Sequence, residues 1–107
     1  MKTLLDDPRE VAIRQKWRDL VDRRMPALAA SRQWPVREGH CFARILLDVA
    51  SQEPWREVMK PPAWANAPIE VLEHAISLGE AVIEGSADLV ALNRLSLRMR
   101  GKLRQSA

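Results

Sequence analysis

Apolar residues recur at helical spacing along most of the chain, and the clearest case runs from residue 39 to 51. Drawn as a helix, that stretch is apolar around nearly its whole circumference, and the narrow polar stripe that remains is formed by His40, Arg44 and Asp48. A helix that is apolar almost all round packs against several neighbours. We therefore expect this helix to be the central member of the fold.

Proline and capping residues mark where a first helix begins and ends. Asp7 followed by Pro8 is typical of a helix N-terminus, because an aspartate caps free N–H groups and proline suits the first turn. Pro26 is expected to end this helix, because proline lacks the N–H that a helix interior requires. Arg14 and Arg18 are expected on its solvent side.

The second half of the chain contains two amphipathic segments that meet at Gly85. Glycine is typical of the residue after a helix and Ser86 of the residue before one, so a tight turn should make the last two helices antiparallel. The apolar arc of the last helix is expected to comprise Leu89, Leu92, Leu95, Met99 and Leu103. The predicted helices cover residues 7–24, 39–51, 54–59, 68–84 and 86–102.

Strands find little support, because alternating aromatic or β-branched residues are nearly absent and the chain has no Asn-Gly or Asp-Gly turn. The predicted fold is all-α, a compact bundle of four to five helices with a C-terminal antiparallel helical hairpin. The chain has 107 residues, which suits one domain, so residues 1–107 are expected to form a single helical domain.

Basic residues are concentrated at the C-terminal end of the chain. Residues 1–88 carry 12 basic and 14 acidic side chains, whereas residues 89–107 carry five basic side chains and no acid. These five are Arg94, Arg98, Arg100, Lys102 and Arg104. A basic helix can bind nucleic-acid phosphates, but four glutamates on the preceding helix are expected to neutralise part of this charge.

The single cysteine bears on both location and chemistry. Cys41 cannot form an internal disulfide, which favours a reducing compartment, and the N-terminal MKTLLDD lacks the apolar run of a signal peptide. No segment has the length of a membrane span, so a cytoplasmic location without membrane association is expected. Cys41 shares the apolar face of its helix, and we expect a core residue rather than a nucleophile.

The polar stripe and three tryptophans are the candidate residues for binding a ligand or partner. Arg44 precedes Asp48 by four residues, the less favourable order for an ion pair on one helix. Arg44 is therefore expected to anchor a carboxylate from another segment, with binding of a ligand anion as the alternative. Trp34, Trp55 and Trp64 lie beside prolines or one residue from them, and they are expected to fold over the core. The alternative is an aromatic groove for a peptide or a flat ligand.

Recognisable catalytic motifs are absent from the sequence. Two isolated histidines and one cysteine do not make a metal site. Neither a phosphate-binding glycine loop nor a nucleophile-elbow motif occurs. No catalytic residue, metal or cofactor is therefore expected, and catalysis is not the leading hypothesis.

The leading hypothesis is a small, non-catalytic cytoplasmic protein that acts as a protein-interaction or regulatory module. Wide apolar helix faces on so small a domain favour a protein partner or a homodimer. A first alternative is a nucleic-acid-associated regulator that uses the basic C-terminal helix. A second is a small-ligand binder or enzyme that uses His40, Arg44 and Asp48.

Three stretches, WPVREGHCFARILLD, PPAW and LNRLSLRMRGK, together resemble a pattern found in short, uncharacterised helical proteins of bacteria, some of which are labelled acetyltransferase-like. The resemblance spans residues 34 to 102. A strand-rich acetyltransferase would bind the coenzyme A pyrophosphate through an arginine- and glycine-bearing loop, and neither feature is visible in this sequence. No activity and no site residue is carried over from the resemblance.

Overall fold

The computed structural model describes residues 7–101, and all regular secondary structure within them is helical. Helix α1 (Pro8–Asp19) continues through a π-helical turn (Leu20–Arg24) into α2 (Met25–Ala29). Then follow α3 (Gly39–Ser51), a 3-10 turn (Trp55–Glu57), α4 (Ala63–Asn66), α5 (Ile69–Glu84) and α6 (Leu89–Met99). The all-α prediction is confirmed. None of the helices in this part of the chain is both long and apolar enough to cross a membrane.

Most predicted helix boundaries lie within a few residues of the observed ones. The Asp7 side chain accepts a hydrogen bond from the backbone N–H two residues on, over 2.9 Å, and α3 has the predicted bounds. Gly85 ends α5 in the left-handed region with a φ of 90°. α6 begins later than predicted, because Asp88 rather than Ser86 caps it by accepting from the Val90 N–H at 2.9 Å. α4, a single turn, was not predicted.

The prediction that Pro26 ends the first helix was wrong, because the helix continues through the proline to Ala29. A proline ring clashes with the carbonyl four residues before it in an α-helix. Here the preceding turn is π-helical, and the Met25 N–H donates to the Leu20 carbonyl five residues back. The wider turn relieves the clash, so the helical conformation continues through the proline.

Helix α3 lies at the centre of the molecule, as its apolar circumference predicted. The helices α2, α5 and α6, the π-helical turn and the 3-10 turn all contact it. Its buried side chains are Phe42, Ile45, Leu46, Leu47 and Asp48. Cys41, which was expected in the core, is only half-buried.

Two glycines permit close approaches between elements around α3. A Cβ at Gly79 would lie 2.6 Å from Leu20 Cδ2 and 3.1 Å from Leu46 Cδ1, so α5 could not sit as close with a larger residue. A Cβ at Gly39 would lie 2.6 Å from Asp22 Oδ1. A side chain at either position would have to displace Leu20 or Asp22, so glycine favours the close approach of α5 and the start of α3 to the π-helical turn.

The face of α6 that packs on α3 is rotated relative to the predicted apolar arc. Leu89 and Ser96 are buried, whereas Leu95, a predicted member of the arc, is exposed. Leu103, another predicted member, lies outside the described residues. α6 thus presents polar as well as apolar side chains to the central helix.

The connector between α3 and α5 is held against α1 by side chains that were expected in solvent. Arg14 donates to the backbone carbonyls of Trp64 at 3.1 Å and Ala67 at 3.0 Å. The Arg18 guanidinium carbon lies 4.5 Å from the centroid of the Trp64 ring. The expectation for Arg14 was wrong because the connector folds back over it, whereas Arg18 is exposed, as expected.

Candidate functional site

A buried carboxylate, Asp48, lies between α3 and α6, and it is 0% exposed. Its Oδ1 accepts from the Trp55 backbone N–H at 2.8 Å and from Arg100 Nη2 at 3.0 Å. Its Oδ2 accepts from Ser96 Oγ at 2.7 Å and from Arg100 Nε at 2.6 Å. The bidentate hydrogen bonds to Asp48 raise the pKa of Arg100. Both oxygens are satisfied, which removes the large cost of an unpaired buried charge.

Arg44 has neutral partners instead of a carboxylate. Its Nη1 donates to Ser96 Oγ and its Nη2 to Asn93 Oδ1, each at 2.8 Å. None of the ion pairs formed within residues 7–101 includes Arg44. Partial burial lowers the pKa of the Arg44 guanidinium, and the nearby Arg100 adds to that shift. Arg44 therefore anchors α6 through neutral side chains and not through the carboxylate that was expected.

A cavity of about 220 Å³, which we call the basic pocket, opens beside this network. Its lining consists of His40, Ala43, Arg44, Trp55, Arg56 and Arg100. The lining contains three guanidinium groups and no acidic side chain. His40 is exposed, with its Nδ1 at 3.4 Å from Glu38 Oε1. The pocket therefore concentrates positive charge where α3, α6 and the 3-10 turn meet.

A second cavity, of about 250 Å³, is largely apolar, and we call it the aromatic groove. Its walls include the rings of Trp17, Trp55 and Trp64 together with Pro61 and Pro62. Ala43, Trp55 and Arg56 line both this groove and the basic pocket. The two cavities therefore adjoin along one side of α3.

The three candidate tryptophans, Trp34, Trp55 and Trp64, lie in different environments. Trp34 packs edge-on against Phe42, with 5.7 Å between the ring centroids, and it lies away from both cavities. Trp55 is buried and 8% exposed, as expected of a residue that folds over the core. Trp64 departs from that expectation, because 43% of it is exposed at the edge of the aromatic groove. The structure thus brings Trp55 and Trp64 together and separates Trp34 from them.

Two arginines that sequence reasoning did not select stack on the tryptophans of the groove. Arg18 lies over Trp64, and the Arg56 guanidinium carbon is 5.1 Å from the centroid of the Trp55 ring. Arginine over an indole face is a favourable cation–π arrangement. The aromatic groove therefore has a positive charge on each of these two rings.

Two residues of α6 and its C-terminal capping residue bind the polar stripe, and this role was missed in the sequence. Asn93, Ser96 and Arg100 follow one another at intervals of three and four residues, so they share one helix face. That face meets Arg44 and Asp48 of α3. The spacing was visible in the sequence, but the leucines of the same helix suggested a different inward face.

The candidate nucleic-acid residues fall into separate environments. Arg94 and Arg98 are exposed on α6, whereas Arg100 is bound to Asp48. Lys102 and Arg104 lie outside the described residues. The predicted basic stripe therefore does not act as one continuous free surface, because one of its members belongs to a buried ion pair.

The acidic helix α5 pairs with the start of the chain. Glu80 binds Arg24 at 3.1 Å, and Glu73 lies 3.9 Å from Arg9. The hydrogen bond from Arg24 lowers the pKa of Glu80. Within residues 7–101 these glutamates form ion pairs with α1 and the π-helical turn, so the expected neutralisation of α6 by α5 is not found there.

Comparison with known proteins gives no relative: no family model, no curated protein and no solved structure matches the chain. The resemblance to short helical bacterial proteins therefore stays a prediction. The functional interpretation rests on the two cavities and their side chains.

Proposed function

We propose that this protein is a protein-interaction module whose aromatic groove binds a short segment of a partner protein that combines apolar and acidic side chains. The observation that carries the proposal is the exposed Trp64, which forms one wall of an apolar groove between two arginine-stacked indoles. Exposed tryptophans that border a groove are frequent anchors of protein interfaces.

The size of the groove favours side chains of a peptide over a large ligand. Its volume of about 250 Å³ is below the roughly 300–1,000 Å³ of cavities that enclose drug-sized molecules. One or two apolar side chains of an extended segment would fit between the tryptophan rings. Tryptophan and proline side chains, which have few rotatable bonds, form the walls of the groove. The groove therefore loses little conformational entropy when a peptide binds.

Charge complementarity supports acidic residues in the bound segment. Arg18 and Arg56 lie on the indole faces, and neither takes part in an ion pair within residues 7–101. Asp22 is the acidic residue of the groove lining. A partner with aspartate or glutamate beside its apolar residues would match these charges and associate faster at low salt.

The proposal keeps the cytoplasmic location, which a chain with one cysteine suits. A nucleic-acid role has less support, because the Arg100 guanidinium is committed to Asp48. A homodimer is the alternative occupant of the groove. In that case panning would select no foreign peptide, and the protein would sediment as a dimer.

A peptide library displayed on phage tests the proposal. Panning on the purified protein should enrich sequences with an aromatic or large aliphatic residue within a few positions of Asp or Glu. A synthetic consensus peptide should bind Trp64→Ala at least about tenfold more weakly than the unmodified protein. Absence of such a consensus, or equal binding by Trp64→Ala, would contradict the proposal.

Val90 supplies a matched control for this measurement. It is an exposed apolar residue of α6 and does not line the aromatic groove. Val90→Ala should bind the consensus peptide as the unmodified protein does. A parallel loss of affinity in Val90→Ala would mean that the groove is not where the peptide binds.

A further inference from the structure

The basic pocket carries unbalanced positive charge. Three guanidiniums line it, and the acid behind it is Asp48, which does not belong to the lining. Asp48 accepts two hydrogen bonds from Arg100, so one positive and one negative charge are matched there. Arg44 and Arg56 take part in no ion pair within residues 7–101. These two arginines therefore have no direct ion-pair partner at the pocket, although Glu57 acts through space on Arg100 and Asp48 on Arg44.

Asp48 forms its direct ion pair with Arg100 and acts on Arg44 only through space, without a hydrogen bond between them. Each of its oxygens already accepts two hydrogen bonds, from Trp55 and Arg100 at Oδ1 and from Ser96 and Arg100 at Oδ2. Ser96 Oγ lies between Arg44 and Asp48, accepting from the first and donating to the second. The hydroxyl thus holds Arg44 in place without neutralising it.

The Arg44 guanidinium is arranged to bind an anion. Of its five N–H groups, two donate to Ser96 and Asn93, and the other three donate to no side chain or carbonyl within residues 7–101. The side chain is half-buried, and a partly desolvated guanidinium without a carboxylate gains more from an anion than an exposed one does. Partial burial also lowers its pKa, which an incoming anion would reverse.

We propose that the basic pocket is a binding site for a small oxyanion, a phosphate or a carboxylate group, held by Arg44 and Arg56 at its walls. Its volume of about 220 Å³ suits inorganic phosphate or a short dicarboxylate and is too small for a drug-sized ligand. The fixed fork of an arginine matches the oxygens of both groups. This site goes beyond the proposed function, because anion binding here requires no peptide in the aromatic groove.

Titration with inorganic phosphate and, separately, with malonate tests the proposal by nuclear magnetic resonance. Ionic strength is held constant with sodium chloride, so that general screening does not change between points. The Trp55 backbone and indole N–H signals should shift in a saturable way with at least one of the two anions. Tighter binding of phosphate or of malonate identifies which oxyanion the site prefers. Absence of a saturable shift with both anions would overturn the proposal.

Arginine variants locate the binding. Arg44→Gln should lower the affinity for the anion roughly tenfold or more, as expected when a charge-assisted hydrogen-bonding group is removed. Arg56→Gln should also weaken anion binding, and Arg56 makes none of the hydrogen bonds between α3 and α6, so this variant removes none of them. Arg94→Gln removes an exposed arginine of α6 that does not line the pocket, and it should bind as the unmodified protein does. Equal affinities in all three variants would overturn the proposal.

Failure of this site can be told apart from failure of the peptide groove. Trp64 lines the aromatic groove and not the basic pocket. Trp64→Ala should therefore lose the consensus peptide and keep the phosphate or malonate response. Loss of the anion response in Trp64→Ala would contradict a separate oxyanion site.

Discussion

Helices α5 and α6 both pack against the central helix α3, but through contacts of opposite character. The buried residues of α5 are aliphatic or lack a side chain, namely Leu72, Ala75, Ile76, Gly79 and Val82. At the interface with α6, Arg44 and Asp48 meet Asn93, Ser96 and Arg100 through hydrogen bonds of 2.6 to 3.0 Å.

The two interfaces contribute differently to the molecule. Apolar burial is non-directional and scales with area, so the α5 interface adds stability without fixing any one group closely. Hydrogen bonds are directional, and a buried ion pair adds little net stability while its loss is strongly destabilising. The α6 interface therefore positions Arg44 and Arg100 of the basic pocket, and the α5 interface stabilises the core on which they rest.

The largest effect is expected from Asp48→Ala. The substitution leaves the Trp55 N–H, the Ser96 hydroxyl and the Arg100 guanidinium without their acceptor. We expect the free energy of unfolding to fall by about 3–5 kcal/mol, the range for removing one partner of a buried pair. Urea denaturation measures it. Ser96→Ala removes one neutral member of the network and should cost about 1–2 kcal/mol.

Equal losses of unfolding free energy in Asp48→Ala and Ser96→Ala would contradict the contrast between the two interfaces. In that case Asp48 would act as one neutral acceptor among several rather than as the buried charge on which the α6 interface depends.

An intermediate effect is expected from Gly79→Val in the α5 interface. A Cβ at this position already lies within 2.6 Å of Leu20, so a valine must displace buried side chains. The expected loss is about 1–3 kcal/mol, as for other overpacked cores. Thermal unfolding measures it.

Ser77 is the control for this substitution, because it is an exposed residue of the same helix. Ser77→Val should change stability by no more than about 0.5 kcal/mol. A tolerated valine at position 79 would mean that α5 can move away from the π-helical turn without loss.

The smallest effect is expected from Glu80→Gln, which breaks the ion pair that links α5 to Arg24 at the surface. Partly exposed pairs contribute about 1 kcal/mol or less. The hydrogen bond from Arg24 lowers the pKa of Glu80 in the folded protein. Its contribution is therefore complete above the unfolded value of about 4.3 and is lost as pH falls through the folded value.

Urea denaturation of Glu80→Gln and the unmodified protein over a pH series measures this contribution. The stability difference should be largest near neutral pH and shrink in acid, and added salt should reduce it. A difference that grows on acidification would contradict the sign of the pKa shift.

The sequence predicted those parts of the fold that depend on local pattern. The bounds of α3 follow from a run of apolar residues between Gly39 and Ser51, and its central position follows from the narrowness of its polar stripe. The left-handed Gly85 follows from the conformational freedom of glycine.

The missed features depend on contacts between distant segments. Continuation of the helix through Pro26 requires a π-helical turn, which no spacing of apolar residues signals. The basic pocket requires Arg56 from the connector and Arg100 from α6 to meet Arg44, and that meeting depends on the rotation of α6 about its axis. The leucine pattern predicted a different rotation, so the charges of the site could not be brought together from the sequence.

The hydrogen bonds from Arg14 to the Trp64 and Ala67 carbonyls have a consequence for the order of assembly. They join positions that are 50 and 53 residues apart in the chain. Closing a loop of that length costs more conformational entropy than forming a helical turn, and the cost is met only once neighbouring segments have docked. We therefore expect the wall that carries Trp64 to form after the helices beneath it have docked, and a substitution that slows their docking to delay formation of the groove as well.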